Sequence, residues 1–137
     1  KKSRKSGMAF ERRVRLDLER IGRIVSRWGN NVEFKVGHTL KLIPAKSNKF
    51  NLRTTGFPDF ISYEQVRFVN IIVKEQLTND YVTPYHIEGI ECKSNGYLTR
   101  EEKEKCRWLL RNNIFSKIYI AKKGKKRGMI EYVEFKN

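Results

Sequence analysis

The chain has 137 residues, of which 39% are hydrophobic and 33% are charged; this balance is typical of a folded domain and excludes a disordered polar tail. Its 30 Lys and Arg outnumber 15 Asp and Glu, which gives a net charge of +15 at pH 7 and indicates a polyanionic partner. No apolar run reaches membrane-spanning length and no signal peptide begins the sequence, so we expect a cytoplasmic, intracellular protein of one domain, 1–137, without membrane contact.

The basic residues are spread over both termini and the interior of the chain. A protein that binds a membrane surface normally collects them on one amphipathic helix. The distribution therefore favours nucleic acid as the partner over an acidic membrane surface or a ribosomal environment.

The two cysteines, Cys92 and Cys106, form no CxxC pair and lie apart from His38 and His86 in the sequence. This spacing does not match a zinc knuckle. We expect both thiols to be reduced.

Residues 1–5 (KKSRK) lack apolar side chains and predict a basic N-terminal arm that is mobile until it binds a partner. From Ser6 onward, apolar residues recur at helical spacing and predict a first helix, which Gly22 ends. The apolar face of this helix is predicted to consist of Phe10, Val14, Leu18 and Ile21.

Short strands are predicted after this helix. The segments "RIVSRW" (23–28) and "VEFKV" (32–36) favour strands separated by a turn at 29–31, because the Gly and Asn residues there accept the positive φ values of tight connections. Residues 37–56 combine one apolar patch with a basic loop. "DFISY" (59–63) then predicts a strand, since a proline is tolerated where a strand begins.

Further strands are predicted in the second half of the chain. "VRFVNIIV" (66–73) is rich in β-branched residues and favours a strand, with a helix through Gln76 as the alternative. "YHIEGIECK" (85–93) alternates as a strand does, and "KIYIA" (117–121) and "MIEYVEF" (129–135) predict two late strands.

A second helix is predicted between these strands. Thr99 and Glu102 have the spacing of a capping box, and Leu98 can act as its hydrophobic staple. The order of helix, strands, helix and strands predicts the α/β fold class. The buried stripe of the second helix is predicted to consist of Cys106, Leu109 and Leu110.

An aspartate and a Glu-Lys pair stand out once they are placed on these elements. Asp59 follows a proline within an apolar run, and a carboxylate that enters a core is costly unless a positive group or a metal ion meets it. Glu91 and Lys93 lie two residues apart on a strand and therefore share one face, which we expect Asp59 to face as well. Ile90 and Cys92 point to the opposite side, where they pack.

These residue types suit phosphodiester hydrolysis. Mg²⁺ prefers oxygen ligands and takes one or two carboxylates while it keeps several waters, and Asp59 and Glu91 can be those carboxylates. Lys93 is placed to hold or polarise the attacking water and to offset charge in the transition state. Glu11, in the first helix, is a further candidate acid.

The ExK spacing of Glu91 and Lys93 is not specific by itself, but here it follows an aspartate-bearing strand and precedes a capped helix. Less specific interpretations stay open: Asp59 as the cap of a turn, Glu91 and Lys93 as an exposed ion pair worth under about 1 kcal/mol, and Glu11 as a solvated helix acid. The same spacing recurs at Glu33/Lys35, Glu101/Lys103 and Glu134/Lys136.

In combination, "GFPDF" and "IECKSN" resemble the signature of the PD-(D/E)XK nuclease superfamily, with Pro58-Asp59 and Glu91-Cys92-Lys93 as its two halves. The preceding "SGMAFERRVRLDLERIG" is similar to the first helix of archaeal-type Holliday junction resolvases, in which a glutamate followed by an arginine serves the metal site. Those residues are Glu11 and Arg12 here.

The resemblance implies a restriction-endonuclease-like α/β fold, with a mixed central β-sheet flanked by α-helices. It implies Mg²⁺ as cofactor, with Mn²⁺ as a substitute, held by Glu11, Asp59, Glu91 and the backbone carbonyl of Cys92. In the resolvase branch it further implies a homodimer that cuts four-way DNA in recombination and repair.

The stretch between Asp59 and Glu91 is longer than in the compact resolvases, which leaves the substrate and the dimer open. A VRR-NUC-like, phage-type, general or end-directed nuclease of the same superfamily is one alternative. A basic nucleic-acid-binding module without catalytic activity is another.

Three basic segments are predicted to contact DNA phosphates: the arm 1–5, the loop 41–53 and the turn 122–128. Phosphate contacts dominate the affinity for DNA and do not require a precise arrangement of side chains. We therefore expect selectivity to come from DNA shape. For the turn, a solvated hairpin tip is the alternative. With Arg12, the predicted contacts are Lys1, Lys2, Arg4, Lys5, Lys46, Lys49, Arg53, Lys122, Lys123, Lys125, Lys126 and Arg127.

Overall fold

A computed structural model of the chain describes residues 2–33, 40–45, 56–65 and 85–136. Its central feature is a five-stranded sheet with the order β1-β4-β5-β6-β7, beside a separate β2-β3 ribbon. The elements in chain order are α1 (Lys2–Arg20), β1 (Ile24–Arg27), β2 (Asn30–Glu33), β3 (Lys41–Pro44), β4 (Phe60–Gln65), β5 (Tyr85–Cys92), α2 (Arg100–Arg111), β6 (Lys117–Lys123) and β7 (Ile130–Glu134).

The five-stranded sheet is mixed. The pairs β1·β4, β4·β5 and β6·β7 are antiparallel, whereas β5 and β6 are parallel. Parallel neighbours need a crossover connection, and α2 supplies it. The predicted α/β class is confirmed, as is the mixed sheet flanked by helices.

Helix α1 covers one face of the sheet. Phe10, Val14 and Leu18 are buried there against a cluster that includes Phe60 and Ile90, as their helical spacing predicts. The fourth predicted member of this face, Ile21, is 57% exposed. The helix ends at Arg20 and a turn at Gly22, with φ of +88°, redirects the chain, so Ile21 no longer follows the helical period.

Helix α2 covers the other face. Its capping box is present as predicted, with Thr99 as the N-cap and Glu102 at the third helical position. Cys106 and Leu109 are fully buried against Ile118 and other residues of β6 and β4. Partly buried Leu98 and Leu110 pack against the same cluster.

The structure differs from the sequence prediction near the N-terminus. Residues 2–5 belong to α1 and not to a separate arm, because Lys and Arg are good helix formers that need no apolar face to extend a helix. In the described part of the chain, neither helix is long and apolar enough to cross a membrane.

A second difference concerns the strands after α1. Asn30 and Asn31 lie in β2 and not in a turn. β2 pairs with β3, in the register Val32↔Leu42, whereas β1 joins the large sheet. β3 falls within the segment that we expected to be an apolar patch and a loop. Its four residues are too few to show the alternating pattern of a strand, and they form one because they pair with β2.

The late strands confirm the prediction with one shift, because β6 extends to Lys123 and shortens the basic turn. Several predicted features lie outside the described residues. These are Phe34 to Val36 of the second predicted strand, the strand 66–73, and the basic residues Lys1, Lys46, Lys49 and Arg53.

Candidate functional site

The pairing of β4 with β5 brings the two halves of the predicted motif together. Phe60 pairs with Ile90, so Asp59, which directly precedes β4, lies at the end of the ladder where β5 finishes. Asp59 Oδ2 accepts a 2.7 Å hydrogen bond from the backbone N–H of Cys92, 33 residues away in sequence. The long-range contact that the motif requires is therefore present.

Glu91 lies beside this contact and is only 4% exposed. It points to the α2 side of the sheet, while Ile90 and Cys92 pack towards α1, as the strand alternation predicts. Glu91 Oε1 lies 3.3 Å from Lys93 Nζ. Within the described part of the chain, Glu91 Oε2 is buried without a hydrogen-bond partner, which is an unusual state for a carboxylate oxygen.

Lys93 is held between two carboxylates. Besides the contact with Glu91, its Nζ lies 2.5 Å from Glu102 Oε1. Glu102 Oε2 in turn accepts a 2.8 Å hydrogen bond from the Thr99 N–H in the capping box. The sequence analysis identified Glu102 as a cap and missed its contact with Lys93, because helical spacing alone does not show which strand residue faces the helix start.

The electrostatics of Asp59 and Glu91 disfavour two charged carboxylates. Burial raises the pKa of Asp59 to about 6, with a further contribution from Glu11, against the opposing effects of the Cys92 N–H and Lys93. The pKa of Glu91 is raised first by burial and then by Asp59, while Lys93 opposes the shift. A cation near both groups would relieve this penalty.

Glu11 reaches the site from the opposite face of the sheet. Its charge contributes to the raised pKa of Asp59, but its Oε2 accepts a 2.9 Å hydrogen bond from Arg27 Nη2 at the end of β1. The Arg27 guanidinium also lies 5.3 Å from the centre of the Phe60 ring. Arg27 is a second site residue that the sequence analysis missed, and nothing in the local pattern "RIVSRW" distinguishes it.

The acidic residues fit a divalent cation in part. Asp59 and Glu91 supply two carboxylates, and Mg²⁺ often takes only that many from a protein. Among the described residues, the buried Oε2 of Glu91 has no hydrogen-bond partner. Among the residues that the structure describes, no three His, Cys, Asp or Glu side chains form a group that could hold a metal ion. Glu11 is instead paired with Arg27, so the three-carboxylate set implied by the resemblance is not assembled.

The cysteines behave as packing residues in this arrangement. Both thiols are free, and burial, followed by the charges of Asp59 and Glu91, raises the pKa of the Cys92 thiol. Cys92 contributes its backbone N–H to the site, and its carbonyl oxygen belongs to the last residue of β5. A role of that carbonyl as a metal ligand stays a prediction.

Several of the predicted DNA contacts lie near this end of the sheet. Lys122 is partly buried and its Nζ lies 3.2 Å from Glu131 Oε2. Lys2 and Arg4 belong to α1. Among the members whose burial the structure describes, the exposed ones are Lys5, Arg12, Lys123, Lys125, Lys126 and Arg127.

No family model, no curated protein and no solved structure matches this chain. The interpretation of the site therefore rests on its own residues and geometry.

Proposed function

We propose that this chain is a metal-dependent nuclease that hydrolyses phosphodiester bonds of DNA. The observation that supports it best is the meeting of Asp59, Glu91 and Lys93 where β4 begins and β5 ends. The Glu91 carboxylate is buried and the Asp59 carboxylate is partly buried, both have raised pKa values, and among the described residues Glu91 Oε2 has no hydrogen-bond partner. Two such carboxylates beside a lysine are typical of a site for a hard divalent cation. The net charge of +15 suits a DNA substrate.

Asp59 and Glu91 are the residues that would hold Mg²⁺, or Mn²⁺ in its place. Held there, the ion would supply Lewis-acid chemistry at a phosphoryl oxygen and would lower the pKa of a water molecule. The Cys92 N–H fixes the orientation of Asp59 through its 2.7 Å hydrogen bond. Glu11, held by Arg27, acts on the site through its charge.

Lys93 is the residue that we assign to the reacting phosphate. Burial alone would lower its pKa, but the hydrogen bond to Glu102 and the charges of Glu91 and Glu102 outweigh that effect and raise the pKa. The ammonium therefore stays protonated at neutral pH. It can donate a hydrogen bond to a water or a phosphate oxygen and offset negative charge that develops there.

The restriction-endonuclease-like fold is part of the same proposal. Its support is the placement of the site. Asp59 directly precedes β4, Glu91 lies near the end of β5 with Lys93 just after it, and α2 then crosses to the parallel strand β6. This is the mixed, helix-flanked arrangement that the PD-(D/E)XK resemblance implies.

We propose a junction-resolving homodimer as the specific form of this nuclease, acting on four-way DNA in recombination or repair. A single small domain has little surface with which to read a long sequence, so DNA shape is the natural source of selectivity. Two copies related by a two-fold axis would direct two such sites at opposed strands.

The first experiment tests cleavage. Supercoiled plasmid and a four-way junction are incubated with the protein in Mg²⁺, in Mn²⁺ and in EDTA, and DNA binding is measured by fluorescence anisotropy. We expect cleavage that needs the metal, and its loss in Asp59→Asn, Glu91→Gln and Lys93→Ala with DNA binding retained. Glu19→Gln, an exposed residue of α1, serves as the control and keeps full activity.

Intact DNA at all metal and protein concentrations, together with persistent binding, would establish the alternative of a non-catalytic binding module. Normal turnover by Asp59→Asn would refute the assigned site.

The second experiment tests the substrate. A four-way junction and a linear duplex of the same sequences compete at physiological salt, with nicks mapped on each strand. Paired symmetric nicks in the junction support the resolvase form. Preference for the duplex, or a single nick from a monomer, supports a general or end-directed nuclease instead.

A further inference from the structure

A basic cavity lies at the same end of the sheet as the candidate metal site, between α1 and the turn that joins β6 to β7. Its volume is about 210 Å³. Of the seven described residues that line it, four are basic and the others are two glycines and a methionine. The basic residues are Arg13, Lys123, Lys126 and Arg127.

The cavity has an ordered wall. Arg13 Nη2 donates a 2.9 Å hydrogen bond to the Gly128 carbonyl and ties the helix to the turn. The turn is closed by hydrogen bonds from Gly124 N–H to the Met129 carbonyl, at 2.9 Å, and from Met129 N–H to the Lys126 carbonyl, at 3.1 Å. Gly128 has φ of +90°, a conformation that favours glycine. As a glycine it places no side chain in the cavity that it lines.

Glu131, an acidic residue of β7 that contacts this turn, already has partners. Its two carboxylate oxygens interact with Lys122 Nζ at 3.2 Å and with the backbone N–H of Lys125 at 3.2 Å. The hydrogen bond from Arg13 to Gly128 uses one of the five guanidinium N–H donors and leaves its positive charge in place. The cavity therefore keeps a local excess of positive charge, which an anion would satisfy.

The cavity lies at the same end of the sheet as Asp59 and Glu91. Lys123 N–H donates a 3.2 Å hydrogen bond to the carbonyl of Ser94, the residue after Lys93. Glu11 and Arg13 lie on different sides of α1, since Glu11 contacts Arg27 of β1 and Arg13 contacts Gly128 of the turn after β6. The carboxyl ends of the parallel strands β5 and β6 therefore place the acidic site and the basic cavity at the same end of the sheet.

We propose that this cavity binds one backbone phosphate of a DNA strand, distinct from the phosphate at Asp59 and Glu91, and so fixes the position of the strand along the site. Guanidinium and ammonium groups recognise phosphate oxygens by charge-assisted hydrogen bonds. The role in positioning rests on the proposed nuclease function, whereas the binding of a phosphodiester does not.

The binding test uses the full chain in EDTA, so that no cleavage is involved. The trinucleotide d(TpTpT), which has two phosphodiesters and no terminal phosphate, is titrated while backbone amide NMR signals are followed. We expect saturable shifts at residues 123–129. The methylphosphonate analogue, which is neutral, is expected to lose them, and inorganic phosphate is expected to bind more weakly than d(TpTpT).

Substitutions test which residues bind. Arg13→Gln and Lys126→Gln are each expected to weaken d(TpTpT) binding about fivefold, and each should reduce the salt slope for a longer DNA by about one. Arg15→Gln removes the same charge from an exposed position of α1 and should change the affinity less than twofold. Lys126→Gln leaves the hydrogen bond from Arg13 to Gly128 in place. A loss of affinity in this variant therefore cannot be caused by loss of the contact between α1 and the turn.

Equal effects of Arg13→Gln and Arg15→Gln, shifts that the neutral analogue reproduces, or tighter binding of inorganic phosphate would each overturn the proposal. If the shifts are localised but no DNA is cut in Mg²⁺, the phosphate site stands and the nuclease function fails. If DNA is cut but the shifts are absent, the cavity proposal alone fails.

Discussion

Lys93 Nζ lies 2.5 Å from Glu102 Oε1, and the same Glu102 carboxylate caps the start of α2 through the Thr99 N–H. The ammonium of Lys93 is therefore fixed by the helix that follows its strand as well as by Glu91. The positions of the helix start and of Lys93 are coupled through one side chain.

Glu102→Gln should reduce cleavage about tenfold with little loss of stability. Glutamine is also accepted at this position of a capping box, so α2 keeps its cap, but the charge that raises the pKa of Lys93 is gone. We therefore expect the basic limb of the pH–rate profile to move to lower pH. Steady-state kinetics across pH 6 to 10 measures both effects.

The matched control is Glu101→Gln, which removes an acid from the same helical turn. Glu101 is exposed and pairs with Lys105 at 2.9 Å, so its loss should leave the pH profile unchanged. An equal shift in both variants would mean that Glu102 acts only through the general field of the helix.

Asp59→Asn should stabilise the metal-free protein at neutral pH. The folded-state pKa of Asp59 is about 6, above the ordinary 3.8, so the folded state binds protons more tightly than the unfolded state, and stability falls as pH rises from about 4 to 6. Asparagine resembles the protonated acid, so the variant should avoid this decrease in the free energy of unfolding, which is at most about 3 kcal/mol.

Urea unfolding of both proteins in EDTA at pH 4, 5, 6 and 7.5 measures this difference. The free energies of unfolding should converge near pH 4, diverge as the pH rises from 4 to 6, and differ by a constant amount above that. Glu19→Gln, at an exposed position, should show no such pH dependence. A variant that is less stable than wild type at pH 7.5 would contradict the raised pKa.

Mg²⁺ should raise the melting temperature of the wild-type protein. A ligand that binds only the folded state at ten times its Kd adds about 1.4 kcal/mol to the free energy of unfolding. Removal of the ion with EDTA should reverse the effect. Asp59→Asn and Glu91→Gln should lose the response, while Lys93→Ala should keep it, and differential scanning fluorimetry distinguishes these outcomes.

Arg23→Met should destabilise the fold strongly, away from the site. Arg23 pairs with Glu88, which is 3% exposed, and with Glu64 at 3.0 Å. Loss of one partner leaves a buried charge uncompensated, at a cost of about 3–5 kcal/mol. The double variant Arg23→Met/Glu88→Met should recover much of this loss, because it removes both charges.

Arg20→Met is the control for that substitution. The Arg20 side chain is 74% exposed in its pair with Asp17, so we expect a change below about 1 kcal/mol in urea unfolding. Similar losses in Arg20→Met and Arg23→Met would argue against a special role of the buried pair.

The parts of the fold that were predictable from sequence depend on local signals. The helical period of Phe10, Val14 and Leu18, and the capping box of Thr99 and Glu102, are properties of contiguous residues, and the structure confirms them. The alternation on β5 also placed Glu91 on the face opposite Ile90 correctly.

The parts that were missed depend on partners distant in sequence. β3 forms because it pairs with β2, and Arg27 enters the site because α1 brings Glu11 to it. Neither contact has a local signature, and the same holds for the contact between Lys93 and Glu102. Sequence spacing could predict that Asp59 meets the end of the strand that carries Glu91, but not the residues that hold their neighbours in place.

The ladder of β4 and β5 separates the site from the connection between these strands. Asp59 and Glu91 lie at one end of the ladder, whereas Gln65 and Tyr85, at the other end, lead into residues 66–84. The relative position of the two acids is set by the register of Phe60 with Ile90, and not by the length of that connection. A protein engineer could thus place a fluorescent label at the Gln65–Tyr85 end of the ladder and keep it apart from the two acids.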